Sequence, residues 1–293
     1  MYILNSFSRK RSTRTIIYEN FLYFIKWGLR IIQTGGRVRV VLFYPQYPGR
    51  KSVIYKVLRE LKCNITNNPT KKHHLVVYWD NTTYRNANQT ISKLAQERIV
   101  VNLKCTDISK SRVDKVFSEV FGYSSVVDPK SFKGKMVKKS EINASHDGII
   151  VEGPIEPEEG FIYQKLIDNT YDEKVVVDMR IPVIKGILPF AYLKFKPITT
   201  RFAHYRMDMM QNKKPELRPI KELLSDDEVE RIVVFCNRIG LDYGEIDVLR
   251  DMGDKRIYII DVNNTPNGPS VEKSMKRESI RKLAEIFNDR FLA

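Results

Sequence analysis

Cysteine and histidine are scarce in this sequence, with three of the first and four of the second among 293 residues. Cys63, Cys105 and Cys236 lie far apart and show no CxxC or Cys/His ligand spacing, which excludes a disulfide framework and a structural zinc site and favours a reducing compartment. His73 and His74 are adjacent, and neighbours on a strand point to opposite faces, so they do not form a metal-binding pair. No GxGxxG motif is present, which removes support for a dinucleotide site. There is no internal repeat and no low-complexity segment. The basic residues are spread along the chain without a recognition-helix, RRM, KH or zinc-finger pattern, which argues against specific nucleic-acid binding. A hydrophobic content of 42% with 29% charged residues excludes the disordered and collagen-like classes and leaves a globular chain with one large or two modest cores.

What the sequence has in excess is positive charge. The formal net charge is +15 and the isoelectric point about 9.6, which selects anionic partners such as a nucleotide, a phosphorylated substrate or an anionic membrane face. Residues 1–36 stand apart, with the basic cluster "SRKRSTR" followed by the aromatic-rich run "TIIYENFLYFIKWGLRII". That run is too charged and too short for a transmembrane helix, and no small-residue cleavage site follows it. Two readings stand: an interfacial helix with its cations near lipid phosphates, and a helix packed on its own domain. The expected location is cytoplasmic, with a peripheral membrane contact if the first reading holds.

From Arg37 the chain alternates strand-like and helix-like stretches: "RVRVVLFYP", "KSVIYKVLRELK", "HHLVVYWD", "RIVVNLK" and "KSRVDKVFSEVFG". This rhythm predicts a small α/β domain with a mainly parallel sheet over residues 37–127. "VVDPKSFKGK" shifts the composition toward Pro, Lys and Gly and marks a boundary near residue 128. Beyond it come strands in succession, "GKMVKKSE", "GIIVEGPI", "GFIYQKLI", "KVVVDMRIPVIKG" and "PFAYLKFKP". A helix over "DDEVERIVVFCNRIG" follows, with Ser225 as its N-cap and Gly240 as its stop. "SVEKSMKRESIRKLAEIFNDRFL" closes the chain as a helix.

Between those two helices lies "GEIDVLRDMGDKRIYIIDVNNTP", two apolar strand-like runs joined by a turn, each carrying acids where a core strand would have Val or Ile. Alternation puts Glu245, Asp247 and Leu249 on one face of the first run and Ile259, Asp261 and Asn263 on one face of the second. If odd positions pair with odd, Asp247, Asp261 and Asn263 converge, and carboxylates so close would repel unless a cation joined them.

With this hairpin placed after antiparallel strands and a helix, the chain resembles the ATP-grasp superfamily, whose hallmark is an aspartate in one strand and an acidic-x-Asn motif in the next, here Asp247 and "DVN", Asp261 to Asn263. The resemblance implies an ATP-grasp domain over 128–293, α+β in character, with a lid over about 136–200 and a metal-binding part over about 201–293. It implies ATP and two Mg²⁺ ions, with Mn²⁺ able to substitute, held by Asp247, Asp261 and Asn263 against the phosphates; oxygen ligands suit such hard cations. "MVKKSE" looks like the family's phosphate-binding lysine strand, with Lys138 the first choice and Lys139 its competitor. "IYQKLIDN" looks like the hinge, where backbone groups of Lys165 and Leu166 would meet the adenine edge and Gln164 would flank them. Arg180, in "VVVDMRIPVI", is the candidate for a phosphate or substrate carboxylate, and Lys194 and Arg201 are further candidates for the same work.

Two departures mark a divergent subgroup. "SEINASHDG" has only Gly148 where many members have a glycine-rich flap, leaving Asn143, Ser145 and His146 as candidate side-chain donors, and Asp261 replaces the commoner Glu. The activity implied is that of an ATP-dependent carboxylate–amine or carboxylate–thiol ligase that forms an acyl phosphate and releases ADP. Its partners would be a carboxylate-bearing small molecule or polymer precursor, such as an anionic glycan precursor or peptide, and an amine nucleophile. The alternatives are a kinase of the same fold and a non-catalytic nucleotide- or nucleic-acid-binding module.

Overall fold

Residues 38–143, 145, 147–202 and 213–293, together with Ile25, are described by this computed structural model. The interfacial-helix reading of residues 1–36, Ile25 aside, and the role weighed for His146 lie outside the described residues. Among the described residues no helix is long and apolar enough to cross a membrane.

The first sheet is parallel, as the strand–helix alternation predicts. Its strands β1 (Val40–Pro45), β2 (Asn64–Thr66), β3 (Leu75–Trp79) and β4 (Val100–Val101) run in the order β2-β1-β3-β4. Every residue of β3 is buried, the pattern of a parallel strand covered on both faces. Helix α1 (Val53–Glu60) is capped by the Ser52 side chain and buries Val53, Ile54, Val57 and Leu58. Helix α2 (Gln89–Glu97), not expected from the sequence, is capped by Asn88 and lays a short stripe of Ile91, Leu94 and Ala95 against Leu42, Val76 and Tyr78. Strand β4 is shorter than "RIVVNLK" suggests because Asn102 turns to φ 61° and leaves the ladder. Its side chain then staples the sheet to the rest of the protein: Oδ1 accepts from Asp242 N–H and Tyr243 N–H, both at 2.9 Å, and Nδ2 donates to Tyr243 O at 2.7 Å.

Helix α3 (Lys110–Phe121), expected at the end of the N-terminal unit, packs elsewhere. Val113, Val116, Phe117 and Phe121 share one apolar cluster with Ile246, Val248 and Ile259, so the C-terminal core begins near Cys105, ahead of the composition change near residue 128. That change marks the turn into β5, whereas the partner of an apolar helix face is decided only in three dimensions. Strands β5 (Gly134–Ser140), β6 (Ile149–Gly153) and β7 (Phe161–Lys165) form a separate antiparallel sheet in the order β6-β5-β7.

The large sheet is antiparallel and contains β8 (Thr170–Asp172), β9 (Val175–Ile184), β10 (Ala191–Pro197), β11 (Glu216–Arg218), β12 (Tyr243–Arg250) and β13 (Ile257–Asn263). The order is β11-β10-β9-β12-β13, with β8 beside β9. Residues 175–197, expected in the lid, thus belong to this sheet, because β9 finds its second neighbour in β12. The middle of the sheet is two-faced. Val177, Met179, Ile181, Leu193, Phe195, Ile246 and Val248 point into the core against α3 and α4 (Asp226–Ile239). Asp178, Arg180, Lys194, Lys196, Glu245, Asp247, Asp261 and Asn263 occupy the alternate positions on the other side. Helix α4 starts at the N-cap Ser225 and stops at Gly240 in the left-handed conformation, as its sequence predicts, and Glu228 completes a capping box with Ser225. The last helix, α5 (Lys273–Phe287), returns to the N-terminal unit, where Leu283, Ala284 and Phe287 pack with Ile54, Val57 and Leu58.

Candidate active site

The hairpin of β12 and β13 pairs Glu245 with Asn263 and Asp247 with Asp261, so the odd-with-odd register expected from alternation is found there. Just beyond Asp247 the register shifts, and Val248 faces Ile259, leaving Ile260 as the extra residue of a bulge. Bulges bend a strand and release a backbone group from the ladder. Here the Ile260 carbonyl is reached by Lys139 Nζ at 3.5 Å.

On its other side Asp247 faces Arg180 of β9. Arg180 clasps it in a two-point bond, Nε to Oδ1 at 2.7 Å and Nη2 to Oδ2 at 2.6 Å, and Lys194 Nζ lies 3.3 Å from Oδ1. Burial would raise the Asp247 carboxyl, but the Arg180 charge, then Lys194 and the Arg180 hydrogen bonds, hold it well below the usual carboxylate range. Burial lowers the Lys194 ammonium, and the neighbouring Arg180 charge adds to the effect. Lys194 also lies 4.0 Å from Asp178, whose firmer partner is Lys196 at 2.7 Å.

Asp261 is in the opposite condition. Its Oδ1 is buried with no hydrogen-bond partner among the described residues. Burial and then the Asp247 charge raise its pKa, while Lys110, Lys139 and Arg180 pull it down. Lys139 is the lysine of β5 on this side: burial lowers its ammonium to about 8, and the Asp261 charge works against that shift. Lys138 points away, pairing with Glu158 and lying 4.4 Å from the centre of the Phe161 ring. Adjacent residues on a strand face opposite ways, and β5 presents Lys139, the competitor, to the hairpin and Lys138, the first choice, to the other side. The third hairpin residue, Asn263, uses Oδ1 to accept the Thr265 N–H at 2.9 Å.

The remaining sequence candidates are scattered. Gln164 is buried, and its Nε2 donates to Ser125 Oγ at 2.7 Å. The Lys165 backbone N–H donates to Ser125 O at 2.8 Å, which removes it from the groups expected to meet an adenine edge. Lys165 Nζ clamps the turn of the hairpin, at 2.9 Å from Asp251 and 2.8 Å from Asp254 and from Tyr258 OH. Burial opposes its charge, but the bonds to Asp254, Tyr258 and Asp251 outweigh it and raise its pKa. Leu166 is half-buried beside them. Arg201 does not join the acids; its Nη2 donates to Ile167 O at 2.8 Å and Asn169 Oδ1 at 2.6 Å, tying the segment after β7 in place.

The small sheet lies against this hairpin through the loop after β5. Lys110 Nζ donates to Ile142 O at 2.9 Å and Asn143 Nδ2 to Val262 O at 3.1 Å, while the Ser145 hydroxyl donates to Ile142 O at 3.0 Å. These side-chain donors, two of them weighed as a substitute for a glycine-rich flap, are here bonded to the chain's own carbonyls. Lys110, Lys196, Asp178 and Glu245 belong to the same electrostatic field and were assigned no role from sequence. Strand spacing of two from Asp247 and Arg180 would have pointed to Glu245 and Asp178, whereas nothing local marks Lys110.

A divalent cation fits this chemistry in part. Among the described residues no group of three His, Cys, Asp or Glu gathers to hold a metal. Two opposed carboxylates and an amide, one carboxylate oxygen lacking a partner, nonetheless suit Mg²⁺, which keeps waters and takes further oxygens from phosphates. Arg180 stands on Asp247 and would have to yield it.

Comparison with solved structures decides the architecture. The ATP-grasp ligase PsnB in complex with its minimal precursor aligns over 86% of this chain and 99% of its own, with a TM-score of 0.51 at 11% identity. This chain has the ATP-grasp fold. VanG D-Ala:D-Ser ligase from Enterococcus faecalis aligns over 87% of this chain and 99% of its own, with a TM-score of 0.54 at 12% identity. For D-alanine–D-alanine ligase from Bacillus anthracis the shares are 87% and 97%, the TM-score 0.52 and the identity 12%. No protein-family model and no curated protein sequence matches the chain.

Proposed function

We propose that this ATP-grasp protein is an ATP-dependent carboxylate–amine ligase that activates a carboxylate as an acyl phosphate and releases ADP. The observation that carries this reading is the row Arg180–Asp247–Asp261 across β9, β12 and β13, with an unsatisfied oxygen on Asp261 and Lys139 brought over it from the small sheet. The nucleotide would lie between the two sheets, its phosphates against Lys139 and the hairpin acids, and its base near the segment that follows Gln164. When bound, Mg²⁺ would supply neutralisation of the phosphate charge and orientation of the transferred group. Asp247, Asp261 and Asn263 are its proposed ligands, and Arg180 and Lys194 would stabilise charge on the phosphoryl group or the substrate carboxylate. Phosphoryl transfer asks the protein for position and electrostatic stabilisation more than for covalent chemistry, which a face of fixed cations and acids supplies. The small sheet, spanning 134–165, would exclude water from the acyl phosphate. The carboxylate substrate and the amine are proposed by class only.

The test is a screen of carboxylic acids with Mg-ATP, reading ADP release and trapping the activated carboxylate as a hydroxamate with hydroxylamine. Wild type is expected to form a hydroxamate, whereas a kinase would leave a stable phosphorylated product seen by mass spectrometry. Asp261→Asn should lose at least about a hundredfold in turnover, on the order of 3 kcal/mol, with an unchanged far-UV spectrum. Near-normal turnover of that variant with the same magnesium dependence would remove the metal assignment.

A further inference from the structure

Glu245 lies two residues before Asp247 on the charged face of the sheet. It is 2% exposed, yet neither of its carboxylate oxygens has a hydrogen-bond partner among the described residues. A buried carboxylate with all its acceptor positions empty is a costly state, and it calls for a partner in some other state of the site. Its ladder neighbours are Pro182 on β9, whose side chain is apolar, and Asn263 on β13, whose Oδ1 accepts the Thr265 N–H. Lys56 and Lys194 act on it electrostatically, but the Lys56 ammonium donates to the carbonyls of Lys51 and Asn267, and that of Lys194 rests by Asp247. The nearest cation is Arg180, whose Nε lies 3.7 Å from Glu245 Oε2. That nitrogen and Nη2 are both engaged by Asp247. One guanidinium therefore stands between two carboxylates, bonded to one and about 1 Å too far from the other.

A cation on Asp247 would meet the Arg180 charge at close range, and in a buried setting two positive groups on one carboxylate repel strongly. An arginine pushed off Asp247 with nowhere to go would be an unpaired buried charge. We propose that Glu245 is a positioning residue that receives Arg180 when a divalent cation takes Asp247, so that the guanidinium passes from one carboxylate to the other along the same face. This transfer rests on the reading of Asp247 as a ligand of a divalent cation. It explains why the two acids of β12 differ so sharply, Asp247 holding three contacts to cations and Glu245 no hydrogen bond among the described residues. No bond is made or broken; a salt bridge changes partner.

The experiment measures AMPPNP binding to the full chain by calorimetry, once with Mg²⁺ and once with EDTA, and takes the ratio of the two affinities as the gain due to the cation. Glu245→Gln should cut that gain about tenfold or more, because Arg180 then finds a neutral amide where a second carboxylate stood. In an Arg180→Met background, where nothing needs to be received, the same change should cost less than about threefold. Equal losses in both backgrounds would mean that Glu245 only adds to the negative field, and a larger loss without Arg180 would mean that Glu245 touches the cation itself; either overturns the transfer. If Glu245→Gln fails to fold, Glu245→Asp, which shortens the reach by one methylene, should show the same background dependence with a smaller loss. A wild type whose AMPPNP affinity ignores Mg²⁺ would remove the cation reading and the transfer with it. A wild type with a clear Mg²⁺ gain but no dependence on Arg180 would remove the transfer alone.

Discussion

The two faces of strand β12 divide the labour of this protein between neighbouring residues. Ile246 and Val248 are fully buried in the core that α3 and α4 cover, while Glu245 and Asp247 face the charged side with Arg180, Lys194 and Asp261. The apolar face is sealed from water, whereas the charged face is only partly buried at Arg180, Asp247 and Asp261, and the two are stabilised in different ways. The apolar face gains from each contact made, and a lost methyl group costs packing wherever it is removed. The charged face is held by compensation, so a change there can stabilise or destabilise according to which charge is left without a partner.

The sharpest way to break this contrast is to change the two neighbours. Asp247→Asn should destabilise the metal-free protein by about 3 kcal/mol or more, because Arg180 and Lys194 lose the negative charge between them. Ile246→Ala should cost a comparable 2–5 kcal/mol or so through the cavity it leaves. Urea denaturation with and without Mg-AMPPNP separates the two causes. The ligand should restore stability to Ile246→Ala as it does to wild type, and should do so far less for Asp247→Asn. Equal rescue of both would show that Asp247 has no part in holding the cation.

A second, somewhat smaller effect uses pH. Burial pushes the Glu245 carboxyl from 4.5 up to about 7, with Arg180 pulling it down and Asp247 adding to the rise. A pKa raised in the folded state means that the native protein binds more protons than the unfolded chain between those two values. Stability is then fully present below about pH 4.5 and is lost as pH rises through 7. Glu245→Gln should match wild type near pH 4.5 and exceed it by up to about 3 kcal/mol at pH 8.5. A difference that did not grow with pH would mean that Glu245 is solvated or already paired. Ile246→Ala, on the other face, should show the same deficit at both pH values.

The smallest expected effect separates the two lysines of β5. Lys139→Met should weaken Mg-AMPPNP binding by about tenfold, since a phosphate contact from a buried cation is lost, while Lys138→Met should change it by less than about twofold. The reverse ranking would place the phosphates on the outer side of the small sheet, against Glu158 and Phe161.

Much of the architecture was legible from local pattern. The parallel alternation over residues 38–101, the N-cap at Ser225, the stop at Gly240 and the register of Asp247 with Asp261 all follow from side-chain period and cap chemistry, which act within a few residues. The acidic hairpin was legible because carboxylates in a buried strand contradict their surroundings. The assignment of α3 to the C-terminal core and of β9 and β10 to the large sheet was not, since an apolar face states that it must be covered without stating by what.

By itself, then, the sequence determined which residues alternate into a charged face and which into a core, because that depends on the two-residue period of a strand. Only the tertiary structure decided which charges meet. It turned Lys139 toward Asp261 and Lys138 away from it, tied Arg201 to backbone and Asn169, and set Arg180 between Asp247 and Glu245. Those outcomes depend on neighbours 67 residues apart in the case of Arg180 and Asp247, and an electrostatic partner at that separation leaves no trace in local pattern, because attraction acts through space and the chain supplies the path.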